Sequence, residues 1–75
     1  METIFERVVR ESGTSRNGEA SYQIDAQADL LITYERASKK WFVQIWKEQD
    51  LVTGEYINIE IPQGQARSIL SNLAN

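Results

Sequence analysis

The chain contains no cysteine and no histidine. Without cysteine there is no disulfide framework and no thiolate metal site. Without histidine the commonest zinc ligand and the usual proton shuttle near neutral pH are both missing. The four glycines (Gly13, Gly18, Gly54 and Gly64) are scattered singly, so no glycine-rich phosphate loop is present. No apolar run approaches membrane-spanning length. Met1 leads into Glu2, Glu6 and Arg7 rather than into an apolar signal segment. These absences lead us to expect a cytoplasmic protein with no membrane partner, no metal and no cofactor. A net charge of −3 argues against indiscriminate binding to duplex DNA, whose affinity comes largely from phosphate neutralisation.

What is present is ordinary globular composition, 41% hydrophobic and 25% charged, so disorder is not expected. The 75 residues are read as a single domain over 1–75, near the lower limit at which one core is stable alone. A chain this small gains burial by pairing with its own copy, and a homodimer is expected.

The strongest pattern is an alternation. Tyr22, Ile24, Ala26, Ala28, Leu30, Ile32 and Tyr34 are apolar or aromatic, with Gln23, Asp25, Gln27, Asp29, Leu31 and Thr33 between them. Period two means a strand with one buried face. As one straight strand it would span on the order of 40 Å at ~3.3 Å per residue, so a bend is expected over residues 26–29. Residues 37–40 (ASKK) read as a tight turn, 41–48 as a strand, 49–54 as a turn and 56–61 as a strand. Pro62 ends the sheet and suits the first turn of a helix. Ala66, Ile69, Leu70 and Leu73 then fall at i, i+3, i+4 and i+7, one apolar helical stripe.

The first eleven residues admit two readings. Asn17-Gly18 is a hairpin signal; as the tip it would pair Arg16 with Glu19 and Arg10 with Asp25, and face Val9 to Ala26 and Phe5 to Leu30. Alternatively, Ile4, Phe5, Val8 and Val9 form the stripe of a short helix ended by Gly13. The expected fold is α+β: a four-stranded antiparallel curved sheet followed by one C-terminal helix packing on one face.

With Ser38 and Lys39 as a turn tip, Tyr34 falls opposite Val43 and Ile32 opposite Ile45 on the buried face. The other face then carries Leu31, Thr33, Glu35, Phe42, Gln44, Trp46, Tyr56, Asn58 and Glu60. Its apolar residues form a patch that a single helix on the far side cannot reach. Three occupants fit it: further core or a dimer interface, unpaired nucleic-acid bases, or a protein partner. In the nucleic-acid reading Phe42 and Trp46 stack on bases while Arg36, Lys39, Lys40 and Lys47 track phosphates. In the dimer or partner reading Leu31 and Tyr56 meet the partner on this face, and Ile69, Leu70 and Leu73 meet it from the helix. Enzyme activity is not expected. Asp25 and Asp29, four apart on one strand, would lie about 13 Å from each other, too far to share a proton or a metal.

Residues 22–73, YQIDAQADLLITYERASKKWFVQIWKEQDLVTGEYINIEIPQGQARSILSNL, resemble the positive-cofactor-four type of transcriptional coactivator. The matching features are the YQI opening, the alternating strand, the short KK turn, WFVQIWKE and the isoleucine strand leading into a helix. The resemblance implies four antiparallel strands and a helix, dimerisation, and single-stranded DNA bound along the strands in transcription or replication. The chain departs from the family in two places. Trp46, beside Lys47, stands where the family places a DNA-contacting arginine, and residues 49–55 (QDLVTGE) carry two acids where the family is rich in lysine and arginine. Stacking by Phe42 and Trp46 would therefore have to supply more of any single-strand affinity than phosphate contacts do.

Overall fold

A computed structural model of the chain describes residues 1–27, 29–48 and 53–73, Glu48 by its backbone alone. Helix α1 (Ile4–Ser12) is followed by strands β1 (Glu19–Asp25), β2 (Leu30–Glu35), β3 (Lys40–Glu48) and β4 (Gly54–Ile61), and then by α2 (Gln63–Leu73). The four strands form one antiparallel sheet in the order β1-β2-β3-β4. The expected class, sheet and C-terminal helix are all present, and an N-terminal helix is added to them.

That helix corrects the hairpin reading: the pairings of Val9 with Ala26 and of Phe5 with Leu30 do not form. Local chemistry decides it. Thr3 is the N-cap: its Oγ1 accepts from the Glu6 amide at 3.1 Å, and its own amide donates to Glu6 Oε1 at 3.0 Å. This reciprocal capping box satisfies two of the helix's orphan donors. Phe5, Val8 and Ser12 then fall on one buried face, with Ile4 and Val9 beside them. Asn17-Gly18 serves the link into β1 instead of a hairpin tip. Asn17 Oδ1 accepts from the Glu19 amide, and Gly18 takes φ +72°, a conformation costly for residues with a Cβ.

The long alternation is not one bent strand but two. The expected bend is a chain reversal between β1 and β2, anchored by the Gln27 amide donating to Asp25 Oδ1 and by Asp29 at φ 54°; Ala28 lies outside the described residues. The pairing joins Tyr22 to Ile32 and Ala20 to Tyr34, and even-numbered residues meet even-numbered ones up to an irregularity between Gln23 and Asp25. A hairpin of that parity keeps the even residues on the same face as a continuous strand would. Asp25 and Asp29 therefore flank a turn instead of standing along a strand. Between β2 and β3 the register differs by two from expectation, with Tyr34 opposite Trp41 and Ile32 opposite Val43. A slip of two preserves every face. The turn expected over 49–54 lies, up to residue 52, outside the described residues.

Helix α1 lies over β1 and β2, α2 lies over β3, and the helices touch each other. The core is Phe5, Val8, Ile32, Trp41, Ala66 and Leu70. Trp41 stacks on Phe5 with centroids 4.8 Å apart and meets Tyr34 at the same distance. The Arg67 guanidinium sits 4.6 Å from the Phe5 ring centroid. No helix among the described residues is long and apolar enough to cross a membrane.

Leu70 is 1% exposed and Leu73 39%. Leu70→Asp buries an unpaired carboxylate and should abolish the cooperative thermal transition seen by circular dichroism, whereas Leu73→Asp should keep it. The hydrogen bond from the Thr3 backbone amide holds the Glu6 carboxyl below its ordinary pKa. The sign follows: this contribution is present above the ordinary carboxyl range and is lost as pH falls through it. Acidification toward pH ~3 should fray α1, read by circular dichroism, and Glu6→Gln, which has no carboxyl to titrate, should reduce that pH dependence.

Candidate functional site

Strand parity separates the two faces of the sheet. Trp41, Val43 and Ile45 point to the helices, while Phe42, Gln44 and Trp46 point to the open side. On that open side Phe42 stands opposite Thr33 and Glu60, Gln44 opposite Leu31 and Asn58, and Trp46 opposite Tyr56. The expected apolar patch therefore exists as a contiguous surface: Leu31, Phe42 and Trp46 are half-buried and Tyr56 is exposed.

Trp46 is held in place from two sides. Its ring meets Tyr56 edge-on, with centroids 5.0 Å apart. It also covers Gly54, where an added Cβ would come within 2.7 Å of the indole Cε2. Glycine at this position is what allows the indole to lie across the sheet.

A polar ladder crosses the same face through all four strands. Ser21 Oγ lies 2.8 Å from Thr33 Oγ1, Thr33 Oγ1 donates to Gln44 Oε1 at 2.9 Å, and Gln44 Nε2 donates to Asn58 Oδ1 at 2.7 Å. The Thr33 hydroxyl has one proton and gives it to Gln44, so Ser21 must be the donor at the first step. The chain of donors thus runs from β1 to β4 in one direction, and such chains polarise each other's bonds. Thr33 is only 3% exposed although it lies on the open face. No composition signal announces this ladder; once the register is known, the alternation of Thr33, Gln44 and Asn58 does.

The basic residues do not gather around the aromatics. Lys40 reaches the open face, where its Nζ lies 3.5 Å from Glu60 Oε1. Lys47 stands opposite Glu55 on the helix side, across the sheet from Trp46. Arg36 turns its guanidinium onto Gly13 at the end of α1. Together with Lys39 it lines a groove beside Val9, Ser12 and Tyr34, again on the helix side. Glu19 and Glu35 pair with each other on the open face. With Glu60 they set three carboxylates against the one Lys40 ammonium. The expectation that these basic residues track phosphates beside the aromatics meets strand parity: Lys40 and Lys47, seven residues apart on β3, must take opposite faces.

The helix residues expected at an interface also divide. Leu70 belongs to the core, Ile69 packs against it, and Leu73 is exposed. Leu31 and Tyr56 lie on the opposite side of the sheet. Among the described residues no group of three acidic side chains is placed to hold a metal. A groove of about 570 Å³ runs between residues 1–6 and Arg67, Leu70 and Ser71. Of the amides at the start of α1 beside it, those of Thr3 and Glu6 are engaged by the capping box.

Thr33→Val replaces the central hydroxyl by a methyl and leaves the Gln44 carbonyl and the Ser21 hydroxyl without their partner. It should lower stability by about 1–2 kcal/mol, read from the shift of the urea midpoint at unchanged slope.

Comparison of the chain with protein-family models, with curated proteins and with solved structures gives no match, so its function is argued from this geometry alone.

Proposed function

We propose that the protein is a non-enzymatic binding module whose open sheet face receives another polypeptide. The observation that carries this reading is the composition of the face: a half-buried aromatic and aliphatic centre around an amide ladder, rimmed by acids. Protein interfaces combine such an apolar, aromatic centre with a polar rim. Amide and hydroxyl groups at its middle can orient a partner's backbone or polar side chains without net charge.

Single-stranded nucleic acid is the second reading, supported by three aromatic rings on one face. Charge weighs against it. A phosphate chain crossing this surface would pass Glu19, Glu35 and Glu60, and the one lysine on the face already lies against Glu60. The Trp46 and Tyr56 rings are also engaged with each other edge to face, leaving less free ring surface for bases than separate platforms would.

The test uses a displayed random-peptide library and a short oligothymidylate. Trp41 is buried, so a fluorescence change on binding reports chiefly on Trp46. We expect wild-type protein, but not Trp46→Ala, to select peptides whose binding shifts the emission and is little affected by salt. No emission change is expected with the oligonucleotide at low salt. Steeply salt-dependent quenching by the oligonucleotide, with no peptide selected, would establish the nucleic-acid reading instead.

A further inference from the structure

The groove between α1 and the β2–β3 turn has a volume of about 520 Å³. Val9, Arg10 and Ser12 line it from α1, Tyr34 from β2, and Arg36 and Lys39 from the turn. Three cations therefore face one cleft with no carboxylate in its lining, in a chain whose net charge is −3. Like charges gathered in this way repel, so each calls for a compensating interaction.

Two of the three have one. The Arg10 Nε and Nη2 donate to the two oxygens of Glu2 at 2.8 and 3.1 Å. The Arg36 guanidinium lies over Gly13, the C-cap of α1, where an added Cβ would collide with its Nη1. There it meets the negative end of the helix dipole. It nevertheless forms no ion pair with any described residue. Lys39 has neither kind of partner among the described residues. It also sits at φ 58°, a conformation that glycine or asparagine takes at less cost. Its backbone gains nothing from being lysine; only the ammonium distinguishes it.

We propose that this groove binds a small phosphate monoester with an apolar body. Such a group carries about 1.5 to 2 negative charges near neutral pH, which matches the two cations left without a carboxylate. A phosphodiester carries a single charge and would leave one of them unmatched. Arg36 offers a planar fork able to bond two phosphate oxygens, and Lys39 adds a movable point charge. Val9 and Tyr34 supply an apolar wall, and the Tyr34 ring is fixed from behind by Trp41, with centroids 4.8 Å apart. The Ser12 hydroxyl is already committed, donating to the Val9 carbonyl at 2.6 Å. The volume falls within the ~300–1,000 Å³ of small-molecule sites. The groove lies across the sheet from the open face, so its occupancy does not depend on what that face receives.

Phenyl phosphate is the probe, titrated into the wild-type chain with no peptide or oligonucleotide present. It should bind saturably with a Kd below about 1 mM, read by calorimetry. Amide chemical shifts should move at Val9, Tyr34, Arg36 and Lys39, and not at Phe42 or Trp46. Arg36→Gln should weaken binding by roughly tenfold or more with the circular dichroism spectrum kept. Lys39→Asn, which suits the positive φ, should do the same. Lys47→Gln removes one positive charge elsewhere and should leave the Kd within about twofold. A phosphotyrosine pentapeptide that binds no tighter than phenyl phosphate supports a small-molecule ligand. Binding of that peptide tenfold tighter overturns the small-molecule assignment in favour of a phosphorylated polypeptide. Absence of a saturable response to phenyl phosphate overturns the proposal. So does an equal response to oligothymidylate at the same phosphate concentration, or an equal loss in Lys47→Gln; either would mean diffuse positive charge instead of a built groove.

Discussion

The stack of Trp41 on Phe5 is the contact on which the rest of the architecture depends. Trp41 is buried at the start of β3, Phe5 comes from α1, Tyr34 approaches from β2, and Arg67 of α2 covers the outer side of Phe5. One indole therefore ties both helices to the two central strands. Its ring nitrogen is buried without an acceptor among the described residues, which costs about 1–3 kcal/mol. Burying 150–250 Å² of aromatic surface contributes about 4–6 kcal/mol, so burial outweighs the lost hydrogen bond. The same indole sets the faces of β3. A one-residue slip would send Trp41 into solvent and bring Phe42 and Trp46 under the helices.

From that constraint the two exposed surfaces follow. The helices meet over β1, β2 and β3, where Phe5, Val8, Ala66 and Leu70 find Ile32 and Trp41. Two helices of nine and eleven residues do not extend over the centre of β4, so its isoleucines stay in water on the helix side. On the other side no element among the described residues crosses the sheet. Aromatic residues there pack against each other and against a glycine, and polar residues bond across the strands. The protein thus presents an acid-rimmed apolar face and, at right angles to it, an uncharged stretch of edge strand.

Much of the sheet was legible because parity is robust. The alternation from Tyr22 to Tyr34 reads as one strand and is a hairpin, yet Tyr22, Ile32 and Tyr34 lie on the expected face. The turn register was off by two, yet Leu31, Phe42, Trp46 and Tyr56 still share the open side. Period-two patterns survive even-numbered errors. The first helix was one of two open readings, and the deciding signal was present: Thr3 and Glu6 stand at capping-box spacing ahead of an apolar stripe. The basic rim was not legible. Arg36, Lys39, Lys40 and Lys47 are close in sequence, but turn geometry and strand alternation distribute them over both faces, and a neighbouring strand decides which are neutralised.

By itself the sequence determined the class of the fold, the order of its last three strands and C-terminal helix, and which residues of each strand share a face. These are consequences of short-range periodicity and of Pro62. Tertiary structure alone decided how far the helices reach across the sheet, which carboxylate meets Lys40, and that Ser21, Thr33, Gln44 and Asn58 form one ladder. Those depend on register between strands up to dozens of residues apart, and register is set by the packing of Trp41 rather than by any local pattern.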